Sequence, residues 1–197
     1  MLKRFFDIVF SFLGLILVSP LLGLIAIMIK IDSKGSVFYR GMRIGRYEKP
    51  FRIFKFRSMV QNAEELGGAS TAADDSRLTK SGRFLKKYQL DELPQLINAI
   101  RGEMSLVGPR PEVEVYVGMM SEEERKVILS VRPGMTDLAS LWDFHEGEIL
   151  RGSSDPEKAY QEKIRPGKIK LQLEYVKNRS FLIDLKIIIK TIIKLFY

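Results

Sequence analysis

The chain has 197 residues, of which 46% are hydrophobic, with a net charge of +8 and a pI near 9.6. That length accommodates one domain with a real core plus appendages, and the positive charge favours polyanionic partners: nucleic acid, anionic lipid headgroups or a nucleotide substrate. The lack of cysteine excludes disulfides and thiolate metal sites, and the apolar residues gather at both chain ends, which favours lipid over nucleic acid.

Met1-Leu2-Lys3-Arg4-Phe5-Phe6-Asp7 precedes a run from Ile8 to Ile29 that carries no charge. About 20 apolar residues suffice to span a bilayer as a helix. No small-x-small cleavage site follows a core of signal-peptide length. Lys3 and Arg4 stand before the run, and Lys30, Lys34, Arg40, Arg43 and Arg46 after it, so the positive-inside bias draws both ends to the cytoplasmic side. A simple span cannot satisfy both ends; a helix that enters, turns and leaves on one face can. Ser19-Pro20 lies near the middle of the run. Proline removes a backbone donor and kinks a helix, and a preceding serine can bond the freed carbonyl. Each arm would hold about 11 residues, or about 16 Å, roughly half the hydrocarbon thickness. Proline also occurs in spanning helices, so both topologies stay open, with a re-entrant membrane helix over 1–31, broken at Ser19-Pro20, preferred. Residues 32–197 then form a charged domain on the same face.

Val37 to Arg40 and Phe51 to Met59 flank a connector, Gly41 to Pro50, and read as a small β-hairpin. Its alternation sets Phe54 and Phe56 against Lys55 and Arg57, a charged side that is either solvated or a phosphate site. Asn62 to Ser76 is rich in small residues and lacks apolar anchors, so it reads as a mobile loop, either a linker or a lid. Its Asp74-Asp75 is read as a turn ahead of a metal site. Arg83, Lys86 and Lys87 give a basic helix within Arg77 to Arg101, followed by Asp91-Glu92 and a helix from Leu93 to Ile100. Ser121 with three glutamates opens another helix, running to about Val131. Asp137 to Leu150 holds the only Trp (142) and the only His (145), and Asp155-Pro156-Glu157 looks like a helix start. Residues 180–197 form an apolar helix with Lys186, Lys190 and Lys194 at four-residue spacing. An interfacial helix whose lysines reach lipid phosphates fits this pattern; packing into a core or against a second copy of the chain, as a homodimer, is the alternative.

Asp91-Glu92 draws the rest together. Aspartate is a favoured N-cap, Pro94 is tolerated in a first turn, and the helix dipole would keep both carboxylates ionised. One reading is a capped surface helix. The other is chemistry: a carboxylate nucleophile, or half of a metal site. Lys55, Arg57, Lys86, Lys87, Arg110 and Arg132 can surround the pair, and a carboxylate ringed by cations suits attack on a phosphate. A divalent ion held by the second acid, most simply Mg²⁺, would bridge diphosphate oxygens. No Ser-His-Asp triad, Walker loop, dinucleotide fingerprint or zinc spacing is present.

Several ordered motifs resemble the bacterial sugar transferases, the monotopic phosphoglycosyl transferases, in a short form consisting of the catalytic domain only. They run from Lys3-Arg4-Phe5-Phe6-Asp7 and Ser19-Pro20 through Lys55-Phe56-Arg57-Ser58-Met59 and Asp75-Ser76-Arg77-Leu78-Thr79. The most specific are Leu90-Asp91-Glu92-Leu93-Pro94-Gln95-Leu96 and Gly102-Glu103-Met104-Ser105-Leu106-Val107-Gly108-Pro109-Arg110-Pro111, with Arg132-Pro133-Gly134-Met135-Thr136 after them. The resemblance implies an α+β, mostly helical fold and transfer of a phosphosugar from a UDP-sugar to polyprenol phosphate, with undecaprenyl phosphate the expected acceptor. UMP leaves, and a polyprenyl-diphosphate-sugar enters surface polysaccharide or glycoconjugate assembly. It further implies Asp91 as the nucleophile of a covalent intermediate, Glu92 as a Mg²⁺ partner, and Lys55 and Arg110 on phosphates. By the same resemblance, Lys3, Arg4, Asp7, Ser19 and Pro20 would anchor a re-entrant helix in the inner membrane, facing the cytoplasm. The chain departs from the pattern after Thr136: Asp137 to Trp142 replace a Gly, Gln and Arg run, and Phe144 falls where some relatives have a substrate-binding arginine, which bears on donor choice. Lys86 and Gln89 replace a common arginine and serine. A non-catalytic basic membrane adaptor is the runner-up, and a nucleic-acid binder is third, disfavoured by the lack of an aromatic-basic platform.

Overall fold

A computed structural model of the chain describes residues 2–68, 70–143 and 146–196; Phe144 and His145, singled out above, lie outside the described residues. Helix α1 (Leu2–Asp32) is followed by strands β1 (Phe38–Tyr39), β2 (Met42–Ile44), β3 (Pro50–Arg52) and β4 (Lys55–Phe56), then helices α2 (Ala63–Leu66), α3 (Lys80–Lys87) and α4 (Gln95–Arg101). Strand β5 (Ser105–Val107), helices α5 (Glu114–Gly118) and α6 (Glu122–Ile128) and strand β6 (Gly134–Thr136) come next. Helices α7 (Leu138–Trp142), α8 (Glu146–Ile149), α9 (Pro156–Ala159), α10 (Arg165–Asn178) and α11 (Phe181–Phe196) complete the chain. The architecture is α+β and mostly helical, as the sequence indicates.

Helix α1 is long and apolar enough to cross a membrane. It stays helical through Ser19-Pro20, which corrects the break expected there. The physical reason is local. Pro20 removes the amide that would bond the carbonyl of Ile16, and the Ser19 hydroxyl donates to that same carbonyl at 2.8 Å, so no orphan acceptor forces the helix apart. Both ends of α1 are tied to one body. Arg4 donates to the carbonyls of Ala99 and Ile100 at the end of α4, and Asp7 accepts from the Ser105 hydroxyl and the Leu106 amide of β5. Lys3 bridges Asp7 and Asp184 of α11. At the far end Asp32 accepts from the amide and hydroxyl of Ser81 at the start of α3, while Ile25 and Ile29 pack on Phe56 and Leu85. Lipid tails are as apolar as isoleucine, so these polar contacts, more than the apolar ones, fix the seat of α1.

The hairpin is one antiparallel ladder in a single register: Phe38↔Phe56, Tyr39↔Lys55, Met42↔Arg52, Arg43↔Phe51 and Ile44↔Pro50. The expected connector therefore carries strand at Met42–Ile44 and Pro50, and the reversal is confined to Gly45–Lys49, where Tyr47 and Glu48 adopt left-handed backbone. Asn98 of α4, fully buried, accepts from the Phe54 amide at 2.8 Å and donates to the Arg52 carbonyl at 3.0 Å. This amide repairs the ladder where it is interrupted and docks the hairpin on α4.

Strands β5 and β6 pair in parallel, Ser105↔Gly134 and Val107↔Thr136. Gly108 and Gly134 lie back to back; a Cβ on Gly134 would sit 2.1 Å from the Gly108 nitrogen, so no side chain is admissible. The Gly-Pro-Arg-Pro and Arg-Pro-Gly motifs are thus two halves of one junction. Helix α11 covers it with Ile187, in a cluster with Val107, Tyr175 and Val176. Lys186 and Lys190 are exposed beside Leu182, Ile189, Ile192 and Ile193, but Lys194 turns inward to the Leu141 carbonyl at 2.5 Å, which corrects the uniform lysine stripe. Helix α6 has the expected start, a Ser121–Glu124 capping box, and stops at Ile128, short of Val131. Asp155 caps α9 as its sequence suggests.

Candidate active site

Asp91 and Glu92 sit in a single tight turn, Leu90–Glu92, between α3 and α4. Thr79 caps α3 by accepting from the Gly82 amide, and Gly82 packs so tightly that a Cβ there would meet the Ser58 carbonyl at 1.8 Å. This close seat aims Arg83, Lys86 and Lys87 toward the turn. Gln89 takes a left-handed backbone that ends the helix approach and starts the turn. Asp91 is not an N-cap, contrary to the sequence reading: the position before α4 is Pro94, with no side-chain cap. Asp91 points instead into a cavity of about 480 Å³, where its residue is 4% exposed.

One wall of that cavity is cationic, with Lys55, Arg83, Lys86, Lys87 and Arg110; the rest of the lining carries Asp74, Ser140, Asp143, Glu146 and Glu148, with Arg151 paired to Glu148. Lys55 shares the strand phase of the buried Phe51 and Ile53, which directs it inward to Glu92, Nζ to Oε1 at 2.7 Å. Arg110, on the junction loop, reaches Glu92 with a fork, 2.5 Å to Oε1 and 3.2 Å to Oε2. The backbone amide of Arg110 donates to Asp137, which also caps α7 through the Ser140 amide. Asp137, a departure from the family pattern, is therefore a clamp behind Arg110.

The two acids are differentiated by their partners. Burial opposes ionisation of Glu92, but Arg110 and Lys55 outweigh it and hold this carboxyl well below the usual range. Among the described residues Asp91 makes no ion pair or hydrogen bond with its carboxylate. Burial pushes its pKa up; Lys55, Lys86 and Arg110 oppose the shift and Glu92 adds to it. Because Asp91 does not cap α4, burial and these neighbouring charges, rather than the expected helix dipole, act on its carboxyl. Lys86, on the same wall, is lowered by burial and by Lys55, with Asp91 opposing.

Two predicted cations lie elsewhere. Arg57 is buried, and its guanidinium bonds the Ser33 carbonyl and hydroxyl and the Lys34 carbonyl, so it fastens the exit of α1. Arg132 donates to the Gly102 carbonyl and does not line the cavity. The 62–76 segment has the anchors its composition seemed to lack. Arg77 gathers the carbonyls of Ala63, Gly68 and Ser70 and pairs with Asp75, and Ala72 packs with Tyr116, Leu150 and Tyr160. Asp75 is thereby engaged, and Asp74 accepts from the Gly152 amide. Trp142 packs beside Gly167 outside the cavity.

Sequence reasoning missed Asp143, Glu146 and Lys168. Lys168 of α10 is 3% exposed and pairs with Asp143 at 3.2 Å and Glu146 at 2.8 Å. Only the tertiary contact of α10 with α7 brings these residues together, and no local pattern announces it.

Among the described residues no group of three or more acids or histidines is arranged for a metal ion. A Mg²⁺ site of the phosphate-bridging type asks less, one or two carboxylates with the remaining positions filled by phosphate and water. Asp91, with the acceptor capacity left on Glu92 Oε2, meets that requirement.

This arrangement belongs to a defined class of proteins. The family model described as "Bacterial sugar transferase" matches residues 1–197, and the chain belongs to that family. It is 35% identical over 97% of its length to a UDP-N-acetylgalactosamine-undecaprenyl-phosphate N-acetylgalactosaminephosphotransferase of Aeromonas hydrophila, covering 43% of that protein. It is 37% identical over 98% of its length to a UDP-glucose:undecaprenyl-phosphate glucose-1-phosphate transferase of Klebsiella pneumoniae, covering 39% of it. With the exopolysaccharide production protein PSS of Rhizobium leguminosarum bv. phaseoli it shares 38% identity over 98% of the chain and 94% of the relative. The chain thus spans about two-fifths of the first two relatives and nearly all of the third.

Proposed function

We propose that the chain transfers a sugar phosphate from a UDP-sugar to a polyprenol phosphate, undecaprenyl phosphate being the acceptor named for its relatives. One observation carries the reading: Asp91, whose carboxylate makes no ion pair or hydrogen bond among the described residues, opens into a cavity beside Lys55, Lys86 and Arg110. A carboxylate oxygen of Asp91 attacks the phosphorus next to the sugar and forms an acyl-phosphate bond, while the bond from that phosphorus to the UMP oxygen breaks. Oxygen of the polyprenol phosphate then attacks the same phosphorus and releases Asp91 as carboxylate. Lys55 and Arg110, held in place by Glu92, turn their remaining N–H donors to the diphosphate; Lys86 balances the charge on Asp91. The raised pKa makes Asp91 a stronger nucleophile once ionised. Asp91 and Glu92 would hold Mg²⁺, which when bound supplies charge neutralisation at phosphate oxygens.

The acceptor is a lipid, and α1 and α11 expose continuous apolar surface, including Leu17, Leu24, Ile31, Leu182 and Ile193. With both ends of α1 fastened to the same domain, we assign α1 a seat in the inner membrane that it enters and leaves on the cytoplasmic face, bending at Pro20 without losing its helical continuity, with the cavity on that face. Because the chain has no cysteine, Leu2→Cys and Lys34→Cys variants are both expected to react with a cytoplasm-restricted thiol reagent; labelling of only one refutes that topology.

The chemistry is tested by incubating the protein with UDP-sugar in the absence of polyprenol phosphate. A phosphosugar adduct on Asp91 is expected by mass spectrometry. No adduct, together with unchanged UMP release by Asp91→Asn, removes the covalent mechanism.

A further inference from the structure

The cavity holds a second charged group that the transfer step above does not use. Asp143 and Glu146 line it within reach of the Arg110 charge, and Lys168 stands behind them, buried, with Nζ also 3.3 Å from the Tyr160 hydroxyl. A lysine in that place locks both side chains with their free acceptor positions toward the cavity. Beside them the Ser140 hydroxyl is buried on the same wall without a hydrogen-bond partner among the described residues. Buried polar atoms left open at a cavity surface are positions for ligand atoms.

We propose that Asp143 and Glu146, fixed by Lys168, form the subsite for the donor's sugar, accepting hydrogen bonds from the hydroxyls of an uncharged hexose and excluding an anionic one. This rests on the transferase reading above. Carboxylates are acceptors only, and sugar hydroxyls are the donors that match them. The nucleoside half of the donor has a different need, a flat face for its base, and among the described residues no aromatic side chain lines the cavity. The phosphates have the cationic wall. A uronic sugar would bring its carboxylate against those of Asp143 and Glu146, an unfavourable like-charge approach in a secluded site. Lys168 touches no substrate in this scheme; it is a positioning residue.

The test uses the full chain in vesicles containing undecaprenyl phosphate, with UDP-glucose and UDP-glucuronate as donors and UMP release as readout. In Asp143→Asn and in Glu146→Gln, kcat/KM for UDP-glucose should fall about 10- to 100-fold, as for loss of a charged hydrogen bond to a substrate hydroxyl. The glucose-to-glucuronate preference should narrow at least tenfold (~10) by the same reasoning. Product inhibition by UMP should stay within about twofold of the unaltered protein, because UMP carries no hexose. A preference that does not move overturns the proposal, and so does UMP inhibition that weakens in step, which would place the nucleoside on this wall. Both ratios are taken within one preparation, so a partly folded variant still reports. If the unaltered chain releases no UMP from either donor, the transferase reading fails and the subsite is judged by equilibrium binding alone. The affinity of UDP-glucose relative to UDP must then drop in Glu146→Gln, and an unchanged ratio refutes it.

Discussion

Two three-residue charge clusters border the same cavity with opposite composition. Lys55–Glu92–Arg110 sets one anion between two cations; Asp143–Lys168–Glu146 sets one cation between two anions. They differ as much in burial as in sign. In the first, all three side chains keep some solvent contact, and an incoming phosphate can share or replace Glu92 as partner. In the second the central lysine is sealed off, and no ligand can take its place. The comparison separates a cluster built for exchange from one built for rigidity, and mutations should tell them apart by whether chemistry or stability suffers.

The largest expected effect lies beside the first cluster: Asp91→Asn should lower UMP release by about 10³-fold or more, with the fold intact by circular dichroism. Lys168→Met should be the most destabilising change, about 3–5 kcal/mol in denaturant unfolding, because it strands two carboxylates at a buried position. Glu92→Gln should behave in the opposite manner. Its cations can turn to water or phosphate, so stability should move by about 1 kcal/mol while kcat/KM drops about 100-fold through misplaced Lys55 and Arg110. If Glu92→Gln unfolds the protein and Lys168→Met only slows it, the distinction is wrong. Arg57→Gln, outside both clusters, should cost about 1–3 kcal/mol of stability through unsatisfied carbonyls and leave kcat/KM within about twofold. The smallest effect is on pH dependence. A nucleophile must be ionised, and burial raises Asp91, so activity should fall on the acid side at a pH above the ordinary aspartate range. Lys86 favours the ionised form, so Lys86→Gln should move that limb to still higher pH. In stability the sign reverses: the raised pKa favours the folded state at low pH and is a growing burden as pH rises through it, so Asp91→Asn should gain stability relative to the unaltered chain in that interval.

The sequence was legible where local chemistry decides structure. Ser121 and Asp155 cap helices through side chains adjacent in the chain, and the hairpin partners lie within twenty residues of one another. The Ser19 bond to Ile16 follows from the geometry of proline itself, although its consequence, a helix that does not break, required knowing that the freed carbonyl was satisfied. Of the predicted site residues, Asp91, Glu92, Lys55, Lys86 and Arg110 converge on one cavity, whereas Arg57 and Arg132 do not. An arginine flanking a motif can serve a phosphate or a carbonyl, and only the third dimension distinguishes them. The same holds for the cap assignment of Asp91, since a tight turn before a proline-led helix looks identical in one dimension. Lys168 follows Arg165-Pro166-Gly167, a stretch that in isolation suggests a loop, and nothing there hints at two carboxylates waiting across the fold.

The contact between Asp7 and the Leu106 amide has a mechanical consequence. Leu106 lies four residues before Arg110, on the strand that carries the junction loop, so in the proposed function the helix assigned to the bilayer is bonded to the element whose guanidinium is assigned to phosphate. When acyl chains are too short or too long for an apolar helix, the helix tilts or the bilayer deforms, at a modest energy per ångström. In this protein such a tilt would pull on β5. Catalytic rate should therefore vary with acyl-chain length in vesicles of otherwise identical composition, and Asp7→Asn should blunt that dependence: the membrane acts here as a gauge against which the reaction centre is set.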